Sequence, residues 1–379
     1  MCGIIGYAGG KQAAPILLKG LERLEYRGYD SSGIAVIDGA VIRTVKSVGK
    51  IKELAAKTDG GNIPRGVVGI GHTRWATHGV PSDVNSHPHT SQDGKFAVVH
   101  NGIIENFAEL KSELRSRGVK FASETDSEVI AQLLQDVYDG DILDAVRETV
   151  KRLVGSYAVG IVCSDAPDTV FAVRKDNPLV IGLGANENFI ASDFAAALEH
   201  THLFVQLGDG EIAKLTSHSV MFFDGDGAPV KKTPYRVDWD ISQAEKNGYP
   251  HFMLKEIYEQ PKAITDTVRP RVKGDEIILD KITLDAVNAN RIDKIDIVGC
   301  GSAYHAGIVG KRVNCMLASE YVYSDPITDS RTLTVIISQS GETADTLAAL
   351  RLAKKLGSHT IAVVNVVESA IAREADDVL

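Results

Sequence analysis

Cysteine is scarce in this sequence. Its 379 residues include four, Cys2, Cys163, Cys300 and Cys315, too few and too scattered for a disulfide framework or a paired CxxC metal site. Basic charge is also short, since 41 Lys and Arg against 50 Asp and Glu leave a formal net charge of −9. That balance excludes a broad basic face for nucleic acid. No apolar run approaches the roughly 18 residues of a membrane helix. Residues 1–7 lack the basic region followed by an apolar stretch that marks a secretory signal. The expectation is a soluble, cytoplasmic protein with no nucleic-acid or membrane partner. What is abundant is core material: 44% of residues are hydrophobic, and 35 glycines against 12 prolines suit many tight turns. At roughly 100–200 residues per domain, two or three domains are expected.

Two textures divide the chain. Up to about Asp240, strands and helices mix in no regular order. Val67–Gly71 and Phe96–His100 read as buried strands, and Ala158–Cys163 and Thr169–Val173 as a hairpin. Helices fit Ala13–Leu24, Phe107–Arg117 and Asp126–Tyr138, and Thr125-x-x-Glu128 reads as a capping box for the last. Grouped strands imply an α+β sandwich. Tyr249–Pro261 reads as a connecting helix bracketed by prolines. From about Asp293 the order becomes strand–loop–helix, with strands at Lys294–Val298, Leu333–Ile337 and Thr360–Val364, which argues a parallel α/β sheet. The domains are placed at 1–240 and 285–379, with a linker over 241–284.

Chemistry concentrates in four places of the first region. Cys2 follows the initiator Met1, whose removal would leave a thiol and a free α-amine on one residue, a nucleophile with its own base. Gly71–Gly79 crowds Arg74, two hydroxyls and two imidazoles together, and a guanidinium suits a carboxylate. His100-Asn101-Gly102 offers an amide and a backbone N–H to an oxyanion. Asp126 offers a carboxylate to an ammonium group. Each has a plainer explanation when taken alone: a small core cysteine, a surface loop, an Asn-Gly turn, a helix cap. Their joint occurrence behind an N-terminal cysteine is what those explanations leave out.

Met1-Cys2-Gly3-Ile4-x-Gly6, the run Leu24-Glu25-Tyr26-Arg27-Gly28-Tyr29-Asp30-Ser31, Gly71–Gly79, His100-Asn101-Gly102 and Thr125-Asp126 together resemble the N-terminal-nucleophile (class II) glutamine amidotransferases. The Leu24–Ser31 run resembles the members that aminate fructose 6-phosphate. The resemblance implies an αββα sandwich of the N-terminal-nucleophile hydrolase type. It also implies roles: Cys2 as nucleophile, Asn101 and Gly102 as oxyanion hole, and Arg74 and Asp126 for the substrate carboxylate and ammonium. Thr77 and His78 would line the pocket, Arg27 and Tyr29 would lie on the loop closing over glutamine, and Trp75 would gate ammonia.

In the second region, Gly299-Cys300-Gly301-Ser302 and Ser338-Gln339-Ser340-Gly341-Glu342-Thr343 set amides and hydroxyls at helix starts, where an anion is favoured. Ordinary capping would use the same residues, and neither loop fits GxGxxG or a Walker motif. Both runs look like the sugar isomerase (SIS) domain of the same family. That likeness implies that Ser302, Ser338, Gln339, Ser340 and Thr343 contact fructose 6-phosphate. By the same likeness the SIS domain is truncated, and the stretch Lys311–Glu320 lacks the end of the first helix and the strand after it. The expected function is glutamine hydrolysis at Cys2 with transfer of ammonia to fructose 6-phosphate, giving glucosamine 6-phosphate and glutamate. The present chain is expected to keep only the glutaminase step. No metal or redox cofactor is implied, His87 and His89 being read as pocket lining, and the full-length form is expected to be a homodimer. The alternatives are a non-catalytic sugar-phosphate sensor, or another class II amidotransferase such as the phosphoribosylpyrophosphate enzyme.

Overall fold

The opening strand, β1 (Gly3–Ala8), is buried at every residue rather than at alternate ones. The computed structural model describes residues 2–75, 79–237, 248–279, 282–284, 289–309, 313–366 and 369–379. In it β1 lies inside an eight-stranded antiparallel sheet, with helices on one face and a second sheet on the other. A strand covered on both faces has no polar side to present, so its sequence is a continuous apolar run.

The chain forms two units, Met1–Lys255 and Glu256–Leu379. After β1, the strands of the first unit are β2 (Ser31–Asp38), β3 (Val41–Val48), β4 (Val68–Arg74), β5 (His89–Thr90), β6 (Phe96–Ile104), β7 (Gly155–Cys163) and β8 (Val170–Lys175). There follow β9 (Val180–Leu183), β10 (Asn188–Ala191), β11 (Leu203–Gln206), β12 (Ile212–Leu215), β13 (Val220–Phe223), β14 (Pro229–Val230) and β15 (Tyr235–Arg236). One sheet runs β15-β11-β9-β10-β1-β4-β2-β3 and the other β14-β13-β12-β8-β7-β6-β5. Helices α1 (Ala13–Leu24) and α2 (Ile51–Lys57) cover the first sheet, where Leu17, Leu21 and Leu54 pack with Ile34 and Phe189. The second sheet is covered by α3 (Phe107–Ser116), α4 (Glu128–Val137) and α5 (Ile142–Arg152), through Leu114, Leu133 and Val146 on Val98 and Ile161. Between the sheets, Ile4, Ile70 and Ile190 meet Val99 and Val162. The result is the αββα sandwich, held by side chains each worth about 1.5–3 kcal/mol on burial.

Two local expectations fail here. The strand expected to end at Gly71 continues through His72 and Thr73 to Arg74, because β1 and β2 both pair with it over those residues. The capping box also does not form. The Glu128 carboxylate accepts from the N–H groups of Ala122 and Ser123, at 2.8 and 2.6 Å, while the Thr125 hydroxyl lies 3.0 Å from His89 Nε2. Buried Glu128 thus fastens the turn before α4 rather than the first turn itself.

The second unit takes in most of α6 (Phe252–Val268), a hairpin of β16 (Val272–Lys273) and β17 (Glu276–Ile277), and a parallel sheet. The helix runs on through Pro261 instead of stopping there; the carbonyl one turn earlier, on half-exposed Ile257, can be served by water. In chain order come β18 (Lys294–Gly299), α7 (Ser302–Ile308), β19 (Asn314–Leu317), α8 (Ala318–Tyr323), β20 (Thr332–Ser338), α9 (Ala344–Lys355), β21 (His359–Val364), α10 (Ala370–Glu374) and β22 (Asp377–Val378). The parallel order is β19-β18-β20-β21-β22. The strand expected to be missing is therefore present: Asn314–Leu317 pairs with Asp296–Gly299, and Met316 packs on the core of Val298, Ile336 and Leu350. The preceding helix is described over seven residues, Ser302–Ile308.

Candidate active site

Cys2 stands just before β1, and its sulfur rests against the peptide that follows β4. The Trp75 N–H donates to Cys2 Sγ at 3.3 Å, and the thiol faces the Trp75 carbonyl at 3.6 Å. The backbone of one residue can thus accept from the thiol through its carbonyl and donate to the thiolate through its N–H. Burial pushes the Cys2 thiol above its ordinary pKa, the Trp75 N–H and the Arg74 cation pull it down, and Asp126 pushes it up. Gly28 lets a neighbouring loop lie on the same peptide, since a Cβ there would come within 2.8 Å of the Arg74 carbonyl carbon and 2.9 Å of the Trp75 nitrogen. On that loop the Asp30 N–H donates to the Arg74 carbonyl at 3.1 Å, and Tyr29 meets the exposed Trp75 ring edge-on at 5.4 Å. Arg27 ends the short helical turn Glu25–Arg27. Thr77 and His78 lie outside the described residues.

The second sheet brings up the other half of the site. Asn101, in β6, donates from Nδ2 to the Cys2 carbonyl at 3.1 Å. Gly102 follows with φ of +128°, and a Cβ there would lie 2.0 Å from the Ser156 carbonyl oxygen. Strain and collision coincide, so Gly102→Ala is expected to cost about 1–3 kcal/mol and, by displacing Asn101, to lower about 10²-fold the kcat of a reaction that forms an oxyanion at this place. Thermal melts and steady-state kinetics on the same preparation check this.

Two charges flank the thiol. Arg74 is buried at the end of β4 and donates from Nη2 to the Gly79 carbonyl at 3.0 Å. Asp126 is buried as well: Oδ2 accepts from the Ile104 N–H at 2.9 Å and Oδ1 from the Ser127 hydroxyl at 3.3 Å. Ser127 Oγ is in turn 2.8 Å from His100 Nδ1. A fixed cation and a fixed anion beside one sulfur match the two ends of an amino-acid zwitterion.

Beneath Asn101 lie four buried histidines. The His87 ring centre lies 4.1 Å from that of His72, in a tilted contact, and 4.7 Å from that of His89, edge-on, with His100 at 6.5 Å. His87 and His89 are therefore core residues, not pocket lining. Burial lowers the pKa of all four, that of His72 to about 3, and Arg74 adds to the effect at His72, His87 and His89, while Asp126 opposes it at His100. Among the described residues no group of three or more His, Cys, Asp or Glu could hold a metal ion. The neutral cluster has a consequence for stability. Below pH 6.5 the unfolded chain takes up protons that these folded histidines refuse. Stability is therefore complete above pH 6.5 and is lost as pH falls toward 3, by up to about 1.4 kcal/mol per pH unit for each histidine. Melting temperature followed from pH 7 to pH 4 should fall steeply, and a flat profile would contradict the burial of the cluster.

In the second unit, Ser302 opens α7, while Ser338, Gln339, Ser340 and Thr343 form the turn between β20 and α9. Ser338 Oγ accepts from the Gly341 N–H at 3.0 Å and lies 3.4 Å from Thr343 Oγ1, and Ser340 Oγ accepts from the Glu342 N–H at 3.2 Å. The hydroxyls shape the turn, with Gly341 at φ +66°.

A family model described as a glutamine amidotransferase domain matches residues 72–199, and a SIS domain model matches residues 290–379. This chain joins a glutamine amidotransferase domain to a SIS domain. It is 54% identical to the glutamine–fructose-6-phosphate aminotransferase [isomerizing] of Clostridium tetani over 389 aligned residues, covering all of this chain and 64% of that protein. The protein of the same name from Caldanaerobacter subterraneus subsp. tengcongensis is 53% identical over 392, with the same coverage. The chain thus spans about 64% of the length of these curated relatives. The solved structure of glutamine phosphoribosylpyrophosphate amidotransferase from B. subtilis, complexed with ADP and GMP, superimposes with a TM-score of 0.53 at 19% identity. It covers 96% of this chain and 81% of its own, a likeness of fold.

In the amidotransferase domain the structure gathers Cys2, Trp75, Arg74, Asn101, Gly102 and Asp126 at one end of the sandwich. Sequence reasoning missed the Trp75 peptide as a partner of the thiol, Ser127 as a prop for Asp126, and His72 beneath Asn101. Only His72 had a visible signal, as the first polar residue after an apolar run.

Proposed function

We propose that this chain releases ammonia from L-glutamine at Cys2, and that in the protein as it exists the ammonia is transferred to fructose 6-phosphate, giving glucosamine 6-phosphate and glutamate. The observation that carries the first step is the Asn101 amide, held 3.1 Å from the Cys2 carbonyl beside a thiol that the Trp75 peptide already contacts. Once Met1 is removed, the Cys2 α-amine takes the thiol proton, and the sulfur attacks the glutamine carboxamide carbon. Negative charge then builds on the carboxamide oxygen, where the Asn101 amide and the Gly102 N–H are the donors assigned to it. The C–N bond breaks as the nitrogen regains the proton, ammonia leaves, and water cleaves the thioester to glutamate. Arg74 is assigned the substrate carboxylate and Asp126 its ammonium group. Thr77, His78, Arg27 and Tyr29 are assigned the pocket and its closure, and Trp75 the gate for ammonia.

The sugar step rests on the Ser338–Thr343 turn and Ser302, whose hydroxyls and amides suit a phosphate, and on relatives named for fructose 6-phosphate at 53–54% identity. Domain limits of 1–240 and 285–379 joined by a linker suit this division of labour. The test is glutamate release from glutamine by the purified chain, together with intact mass. Absence of glutamate, or full retention of Met1, would overturn the reading and favour a sugar-phosphate sensor.

A further inference from the structure

We infer that His72 is a positioning residue for the oxyanion hole: it fixes which end of the Asn101 amide faces the reacting carbon. The inference rests on the proposed glutaminase reaction. An asparagine amide can turn over about its last torsion, and the two orientations differ little in shape. Only one of them presents N–H to an oxyanion; the other presents a carbonyl oxygen, which would repel it. Something must choose between them.

His72 makes that choice. Its Nε2 lies 3.0 Å from Asn101 Oδ1 and 3.0 Å from the His100 carbonyl oxygen. Two oxygens around one ring nitrogen demand that this nitrogen carry the hydrogen. Burial keeps the ring neutral, so the other nitrogen, Nδ1, is bare; it finds no partner among the described residues. The tautomer is thereby fixed. With Nε2–H donating, the atom of Asn101 that faces His72 must be the oxygen, and Nδ2 must point to the Cys2 side, where it donates to the Cys2 carbonyl. A turned amide would set N–H against N–H in a fully buried place and be disfavoured roughly 5–160-fold in population.

The bond also crosses the sandwich. His72 belongs to β4, which pairs with β1 and so moves with Cys2, whereas Asn101 belongs to β6 of the other sheet. One hydrogen bond therefore ties the strand carrying the nucleophile's support to the strand carrying the oxyanion donor. A buried histidine serving only as core filling would need no such bond, and an aromatic ring of similar size would replace it.

The experiment compares His72→Phe, His72→Gln, Asn101→Ala and the His72→Phe/Asn101→Ala pair with the parent enzyme. His72→Phe keeps the volume and removes the donor. It is expected to lower kcat for glutamine hydrolysis about 10–100-fold while KM stays within about two-fold, since the oxyanion exists only in the transition state. The rate of Cys2 alkylation by iodoacetamide should not change. Gln, whose Nε2 reaches about as far as that of His, is expected to recover most of the loss. In the Asn101→Ala background, His72→Phe is expected to add no further loss, because the group it positions is gone. A His72→Phe enzyme as active as the parent, a loss multiplying fully with that of Asn101→Ala, or a loss that Gln does not relieve would each overturn the positioning role while leaving the glutaminase reading intact. A parent without glutaminase activity would overturn that reading and the positioning role with it.

Discussion

Cys2→Ala is expected to lower glutamate release by at least about 10⁴-fold, the scale on which loss of a nucleophile is felt, while Cys163→Ala stays within about two-fold of the parent. The contrast turns on surroundings, not on the element. Cys163 closes β7 and is fully buried among Phe96, Phe171 and Tyr138, so its truncation costs about 1 kcal/mol of packing and nothing in chemistry. Cys2 is partly open and lies against the Trp75 backbone, whose carbonyl can serve the thiol and whose N–H can serve the thiolate. The measurement is glutamate formed per enzyme, with the variant's fold confirmed by its melting temperature. Glutamate release surviving Cys2→Ala would remove the nucleophile assignment altogether.

Asp126→Asn is expected to raise the KM for glutamine by about 10²-fold or more, since leaving one partner of a buried charge pair unmatched costs roughly 2–5 kcal/mol. The fold should tolerate the change, because an Asn oxygen can still accept from the Ile104 N–H while its amide nitrogen turns to Ser127 Oγ. The thiol should remain at least as reactive. Asp126 pushes the Cys2 pKa up, so neutralising it favours the thiolate, and iodoacetamide should alkylate the variant no more slowly than the parent. A variant that binds glutamine as well as the parent would reduce Asp126 to a prop for the end of β6.

The parts of this molecule legible in its sequence are those set by local pattern. Helix α1 has the expected bounds because its apolar spacing is uninterrupted, and the parallel strands at Lys294, Leu333 and Thr360 stand out as apolar runs feeding polar turns. The strand position of Arg74 is not legible, because strand pairing on both sides carries β4 past the apolar stretch that marks it. The role of Glu128 is not legible because Thr-x-x-Glu is a local signal, whereas its carboxylate is claimed by the turn at Ala122–Ser123. The strand Asn314–Leu317 is hidden when length alone is compared with the family pattern, yet four residues suffice once β18 offers a ladder. The His72–Asn101 bond is the least legible of all. Its partners are 29 positions apart in the chain and on different sheets, and no spacing rule connects them.

The central place of β1 bears on how the site can move. Ladders to β4 and β10 occupy its two edges, the Ile4 N–H is held by Ser192 Oγ at 2.9 Å, and the Ser192 N–H returns to the Ile4 carbonyl at 3.0 Å. A strand so fastened opens to solvent only when the whole sandwich unfolds, so its amides should be among the last in the chain to exchange with deuterium. The residue that starts this strand is therefore carried on the least yielding element of the unit. Whatever opening admits a substrate has to be borne by the surroundings, and the Gly28–Tyr29 segment lying over the Trp75 peptide, with one aromatic edge as its cover, is where early exchange should appear.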